Sequence, residues 1–294
     1  MAEFTAIEWC DSTSNSEMGC NGCELWRPAR PDPTSPTGWE AGAFVRKKGH
    51  NAGRMWHGPC YSGHQHEQRS GLLGWAKDFD VPEIFPGRIE EAARWKDLTG
   101  TQRRHKNPTL VKPWLDGLPR IIFVNDEGDG FTVDLPIDWQ AEHLPIMAAS
   151  PHQYLFLTKR PDRLRQFSEQ YELPPNVWAG TSITNIGEIK QCQRLRELLR
   201  VKAAKKYVSY EPVLGRMDWR PWLDLGLDWL IVGGLSGGTH EAHPMSLKAL
   251  YWTIQQCQAA KVPIFVKQDS AMRPGQQGRI PDDLMIRQYP TIGR

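Results

Sequence analysis

Asp228-Trp-Leu-Ile-Val232 runs into Gly233-Gly-Leu-Ser-Gly-Gly238. After a helical segment over 245–260 the chain returns as Pro263-Ile-Phe-Val-Lys267. Two short, continuously apolar runs on either side of a helix predict parallel strands buried on both faces, the unit of a β–α–β crossover. The same unit repeats upstream. Apolar runs occur at Arg120-Ile-Ile-Phe-Val124, Gln153-Tyr-Leu-Phe-Leu157, Asn176-Val-Trp-Ala-Gly180 and Lys206-Tyr-Val-Ser-Tyr210. Helical patterns lie near 136–149, 161–170 and 186–200, with a shorter helical or irregular piece near 217–224. Adding Phe4–Trp9 and a weaker strand candidate at 83–88 makes eight strands. The fold class predicted is therefore α/β, a (β/α)8 or partial TIM-type barrel, with a doubly wound open sheet as the alternative. One domain over 1–294 is expected, with 24–59 as an inserted excursion rich in Pro, Gly and charge. A further helix is expected over Arg88–Leu98.

In such a sheet, function collects on the loops that follow the C-terminal strand ends. Those loops carry Asn125, Asp126 and Asp129; Thr158, Lys159 and Arg160; Thr181 and Ser182; Glu211; Gly233 and Gly234; and Lys267 with Gln268. Polar groups at every strand end favour one binding mouth over a set of solvated turns. Each has a plainer reading. The glycine run lacks the spacing of a dinucleotide or phosphate loop and is equally a simple turn. Lys159-Arg160 grips an anion or solvates the start of a helix. Glu211 is a hydrogen-bond acceptor or a surface carboxylate.

The N-terminal third carries Met18-Gly-Cys-Asn-Gly-Cys-Glu24 and Gly58-Pro-Cys-Tyr-Ser62. Cys20, Cys23 and Cys60 supply three thiolates, which leaves a metal centre one open position. Alternatively they hold a structural zinc with His57 or His64, in a nucleic-acid-binding protein without catalysis; spacing alone does not choose. Cys192 and Cys257 sit on predicted helices and read as core. His64 and His66 read as an exposed polar segment. The thirteen Trp fit core or substrate stacking equally.

The chain has 294 residues, 39% of them hydrophobic. It contains no apolar run near the roughly 18 residues of a membrane span and no opening signal peptide, so a cytoplasmic protein is expected. Six cysteines in such a chain point to thiols that serve metals or catalysis. A net charge of +2 does not announce a nucleic-acid binder. Any such role needs a local patch, for which Arg46-Lys47-Lys48 and Arg103-Arg-His-Lys106 are the candidates.

Taken in order, Ile7-Glu8-Trp9, Gly19-Cys20, Cys60-Tyr61, Phe123-Val-Asn125, Leu157-Thr-Lys-Arg-Pro161, Trp178-Ala-Gly-Thr-Ser182, Ser209-Tyr-Glu-Pro212, Val232-Gly-Gly234 and Val262-Pro-Ile-Phe-Val-Lys-Gln268 cover most of the chain. They resemble a phage- and bacterium-associated group of three-cysteine proteins related to radical SAM enzymes and, distantly, to the spore photoproduct lyase group. The resemblance implies a 4Fe–4S cluster on Cys20, Cys23 and Cys60, with S-adenosyl-L-methionine on its open iron. It further implies an external electron donor, a 5′-deoxyadenosyl radical, and an isomerase- or lyase-type reaction. The substrate it suggests is a DNA base or the amino-acid-like side chain of one, in a bacterial host cell, for a protein of bacterial or phage origin. Cofactor and substrate contacts are expected from Asn125, Lys159, Ser182, Glu211, Gly233, Gly234 and Gln268. Two departures stand out. Cys60 is displaced by the 24–59 excursion, with Cys10 as its substitute where the group commonly has Thr. Leu235 replaces the group's Glu.

Overall fold

Alternation along each apolar run assigns its side chains to two faces. In the computed structural model, which describes residues 1–184, 189–238 and 240–292, those faces belong to one seven-stranded parallel sheet. Its strands are β1 (Ser12–Thr13), β2 (Ile121–Val124), β3 (Gln153–Thr158), β4 (Val177–Ile183), β5 (Lys206–Tyr210), β6 (Trp229–Val232) and β7 (Ile264–Val266), adjacent in chain order. Strand order without a reversal excludes the doubly wound alternative, because right-handed crossovers then place every connecting helix on one side. Registers such as Thr13↔Phe123, Phe156↔Ala179 and Ser209↔Ile231 run through the sheet.

The outer face carries Ile122, Val124, Tyr154, Phe156, Val208, Leu230 and Val232. It packs under the helices α2 (Arg88–Ala93), α3 (Leu144–Ala149), α4 (Pro161–Gln170), α5 (Ile189–Arg200), α6 (Arg220–Asp224) and α7 (Leu247–Ala260). In α4 the buried residues are Pro161, Leu164, Phe167 and Ser168, the spacing of one helix face, and Pro161 opens the helix where no backbone donor is needed. In α7, Ser246 caps the first turn through Ala249 N–H, and Lys261 ends the helix in the left-handed region.

The inner face is aromatic: Phe123, Trp178, Tyr207, Trp229 and Phe265 pack with Trp9, Cys10 and Leu115. The Trp229 ring lies 6.2 Å from Trp178 and 5.7 Å from Tyr207. A side chain at position 180 would run into the Tyr207 ring, so the neighbouring strand carries Gly180 there. These rings fill the space that an eight-stranded barrel would enclose.

The Phe4–Trp9 run is not a strand. The sheet begins at Ser12, and residues 5–10 form a loop whose Thr5, Ile7 and Cys10 carbonyls all accept from the Lys112 ammonium. The 83–88 candidate is a two-residue strand, Glu83–Ile84, antiparallel to Glu17–Met18 and outside the main sheet. The helix expected over Arg88–Leu98 ends at Ala93. The sheet is therefore open between β1 and β7. Trp114 donates to the Glu8 carbonyl across this gap, and the Arg287 guanidinium stacks 3.9 Å from the Trp114 ring. Covered edges of this kind do not recruit further strands.

The 24–59 excursion is ordered around its own small antiparallel sheet of Arg27–Pro28, Met55–His57 and Ala43–Val45. Trp26, Trp56 and Phe79 form its core, with Cys20 and Cys60 packed against it. No described helix is long and apolar enough to cross a membrane.

Candidate active site

Two residues further along each strand, the inner face reaches a polar group. Above Phe123 stands Asn125, above Leu157 stands Lys159, above Ser209 stands Glu211, and above Phe265 stands Lys267. These residues, with Ser182, Gly234, Leu235 and Gln268, line a cavity at the C-terminal strand ends. Cys20, Cys23 and Cys60 line the same cavity from above.

Three separate devices bring the cysteines there. Gly19 pairs with Gly128 just beyond β2, donating to Glu127 O at 3.0 Å while its own carbonyl accepts from Asp129. Gly19 has φ +96°, and a Cβ at either glycine would meet backbone atoms within 3 Å, so this crossing requires both. Cys20 N–H donates to Phe79 O at 2.7 Å. Arg160 stitches the loop down: its guanidinium bonds Asp129 at 2.7 Å, Gly22 O at 2.8 Å, Asn21, and the Cys20 sulfur at 3.6 Å.

Beyond Cys23, the Glu24 carboxylate is gripped by Arg194 at 2.7 and 2.8 Å and by Thr184 at 2.6 Å. Burial opposes its charge, yet these partners hold it far below the usual carboxylate range. Cys60 is the N-cap of α1 (Tyr61–Arg69). The first turn of that helix lies on the Trp26 ring, and a Cβ at Gly63 would penetrate it. The Trp26 indole donates to Asp80 at 2.8 Å, and the Arg46 guanidinium covers its ring at 4.6 Å. The excursion therefore carries Cys60 back to the pair it is displaced from in sequence.

Each of the three sulfurs accepts one N–H: Cys20 from Arg160, Cys23 from Leu25 at 3.4 Å and Cys60 from Gly63 at 3.4 Å. Donors aimed at sulfur favour the thiolate, the form that ligates metal. Burial acts the other way. It pushes the Cys20 thiol up to about 11 against the pull of Arg160, and the Cys60 thiol up to about 12, with Cys23 adding to the rise and Lys159 opposing it. Ligation at these positions must therefore displace protons.

Among the described residues no hydrogen bond or ion pair engages the Lys159 ammonium. Burial disfavours its charge, but Cys23, Cys60 and Glu24 outweigh that and hold its pKa above the ordinary lysine value. Across the cavity Lys267 pairs with Glu211 at 3.1 Å, and Glu211 accepts from Ser209 at 2.9 Å. Burial opposes the Lys267 charge, and Glu211 and Glu8 overcome it.

The remaining expected contacts divide. Asn125 lines the cavity, but its Oδ1 accepts the Ser16 N–H at 2.9 Å. Gln268 also lines it, while its amide donates to Gly234 O at 3.0 Å and accepts from Gly275 at 2.8 Å. Both shape the wall rather than reach out from it. Gly233 is not among the lining residues; a Cβ there would stand 2.6 Å from the Glu211 carboxylate, so its absence leaves that carboxylate room. Gly234 lies so close to the Ser270 backbone that no side chain fits.

Cys10 is not part of this site. It is fully buried among the inner-face aromatics, and burial drives its thiol well above the ordinary range. Cys257 is core, as expected, whereas Cys192 is partly exposed. His66 is buried, not exposed: its Nδ1 bonds Ser62 O at 2.9 Å. His64 packs against Trp26 and Phe44, and neither His57 nor His64 lines the cavity. The one His/Cys/Asp/Glu group among the described residues tight enough for a single ion is His50, Asp78 and Asp80.

Each basic run loses one cation to internal pairing, while Lys47, Arg104 and Lys106 stay exposed. Arg46 is buried in ion pairs with Glu67 and Asp80, and Arg103 is buried against Asp11 at 3.0 Å beside the N-terminal end of β2. Sequence reasoning did not find Glu24–Arg194, Trp26, or the buried carboxyls. Burial raises Glu17 to about 7. It raises Glu127, with Asp126 adding to the effect, to about 9.

Residues 75–290 match the family model described as Protein of unknown function (DUF5131), and the chain belongs to that family. Cys20, Cys23 and Cys60 precede the matched segment. No curated protein and no solved structure matches the chain.

Proposed function

We propose that this member of the DUF5131 family is a radical SAM-type enzyme on a partial TIM-type barrel, with a 4Fe–4S cluster held by Cys20, Cys23 and Cys60. The observation that carries the reading is the convergence of these three thiols, from two distant segments, on one cavity at the C-terminal strand ends. The donor set fits the group. Three sulfurs, each with one N–H donor, face an open cavity rather than a fourth protein ligand. The cysteines do not form a group whose ligand atoms all lie within 4.8 Å of one another.

The chemistry supplied by a bound cluster and S-adenosylmethionine is generation of a 5′-deoxyadenosyl radical that removes a hydrogen atom from substrate carbon. The chain's own residues supply the positioning. Lys159 presents an uncommitted cation beside Cys23 and Cys60, suited to a carboxylate. Ser182 offers a hydroxyl to the same space. Lys267, Glu211 and Ser209 form a polar pole on the opposite wall. Phe123, in the cavity wall, belongs to the buried inner-face cluster with Trp178, Tyr207 and Trp229. Electrons come from an external donor.

Anaerobic reconstitution with iron and sulfide tests this. A brown protein with both elements in 4Fe–4S proportion, lost on Cys60→Ala, supports it. A colourless protein that takes up zinc instead replaces it with the structural-metal reading.

A further inference from the structure

The cysteine cavity measures about 210 Å³. Small-molecule sites usually enclose about 300–1,000 Å³, so a ligand of ordinary size extends beyond it. A second cavity of about 550 Å³ adjoins it on the far side of Cys23. Cys23, Leu25, Pro59, Pro212 and Leu235 line both, so the two spaces share a wall.

The chemistry of the second cavity differs from that of the first. His57 enters from the small sheet of the excursion, and His243 from the segment between β6 and α7. The rings stand 6.4 Å apart and nearly perpendicular. His57 Nδ1 and His243 Nε2 are buried without a hydrogen-bond partner. His57 Nδ1 is 3.7 Å from Glu40, beyond hydrogen-bonding reach. Arg30 stands at the rim, exposed; its backbone N–H and carbonyl bond Glu40, and no hydrogen bond or ion pair engages its guanidinium among the described residues. The two nearby acids are already neutralised, Glu24 by Arg194 and Glu40 by Arg27. A guanidinium and two imidazoles, each with one unpartnered ring nitrogen, remain, with no free carboxylate among them. That set matches an oxyanion with several acceptor oxygens.

We infer that this cavity binds a phosphate group carried by the substrate, whose remainder passes the Cys23 wall into the cysteine cavity. The assignment of that remainder rests on the proposed function; the phosphate site does not. The phosphate belongs either to a free phosphomonoester or to a phosphodiester chain.

Calorimetric titration of the full-length protein tests this, with inorganic phosphate and, separately, a short single-stranded oligodeoxynucleotide. Saturable binding of at least one probe is expected. Arg30→Ala and His243→Gln should each weaken it about tenfold. Lys96→Ala, at the opposite end of the sheet, should leave it unchanged, and circular dichroism confirms that each variant is folded. Binding of phosphate alone assigns a phosphomonoester, and binding of the oligonucleotide alone a phosphodiester. No heat with either probe, or Arg30→Ala and His243→Gln indistinguishable from wild type, overturns the inference. S-adenosylmethionine cleavage is followed in parallel. Its absence with phosphate binding intact removes the proposed function and leaves this site; the reverse removes this site alone.

Discussion

Glu24, the residue after Cys23, is clamped by Arg194 through two guanidinium hydrogen bonds of 2.7 and 2.8 Å. Arg194 belongs to α5, on the outer side of the sheet, and also donates to Ser182 O at the top of β4. The clamp ties the C-x-x-C loop to the same strand end that lines the cavity. Arg194→Met leaves the Glu24 carboxylate without its partner. A loss of about 2–3 kcal/mol in urea unfolding is expected, under the full buried-pair range because Glu24 is partly exposed. Bound iron should fall with it. Unchanged stability and unchanged iron would show that the loop is held elsewhere.

Cys20→Ala, Cys23→Ala and Cys60→Ala should each abolish iron and sulfide retention, since three thiols leave no spare ligand. Cys10→Ala should keep both while lowering the melting temperature, because Cys10 is packed among the inner-face rings. Iron lost in Cys10→Ala and kept in Cys60→Ala would reverse the assignment.

The aromatic inner face predicts a steric result. Gly180→Ala pushes a methyl group into the Tyr207 ring. Overpacking of this kind costs about 1–3 kcal/mol, and thermal unfolding of Gly180→Ala beside the double variant Gly180→Ala/Tyr207→Leu measures it. The double variant should recover part of the loss over that expected from Tyr207→Leu alone. Strict additivity would place the ring elsewhere.

Glu127 gives a pH dependence. Burial raises its folded pKa from the usual 4.5 to about 9. Between those values the unfolded chain has released this proton while the folded chain keeps it, so stability falls as pH rises. Glu127→Gln mimics the protonated carboxyl and removes the slope. Relative to wild type, the variant should gain stability from pH 5 to pH 8, read as the difference in melting temperature at each pH. A constant difference across that range would mean Glu127 is ionised in the fold.

Much of this site is written as a period of two. Leu157–Lys159, Ser209–Glu211 and Phe265–Lys267 each step two residues up the inner face to a charged group in the cavity wall. Apolar runs followed by polar residues therefore locate the mouth without any structure. What the sequence hides is pairing across long separations. Arg46 and Arg103 read as free cations, yet their partners Asp80 and Asp11 lie 34 and 92 positions away. Phe4–Trp9 has strand-like composition, but with Lys112 bonded to three of its loop's carbonyls it cannot join a ladder. Trp26 looks like any other tryptophan in the chain. Its part in returning Cys60 to Cys20 depends on Gly63 and Arg46, which no local pattern connects to it.

The most direct test of the central claim is chemical. Anaerobically reconstituted protein is reduced with a strong one-electron donor, mixed with S-adenosylmethionine, and the small molecules are separated. 5′-Deoxyadenosine and methionine in equal amounts, absent in Cys20→Ala and reduced in Lys159→Ala, are the predicted result. Reduced, cluster-containing protein that leaves S-adenosylmethionine intact would contradict it.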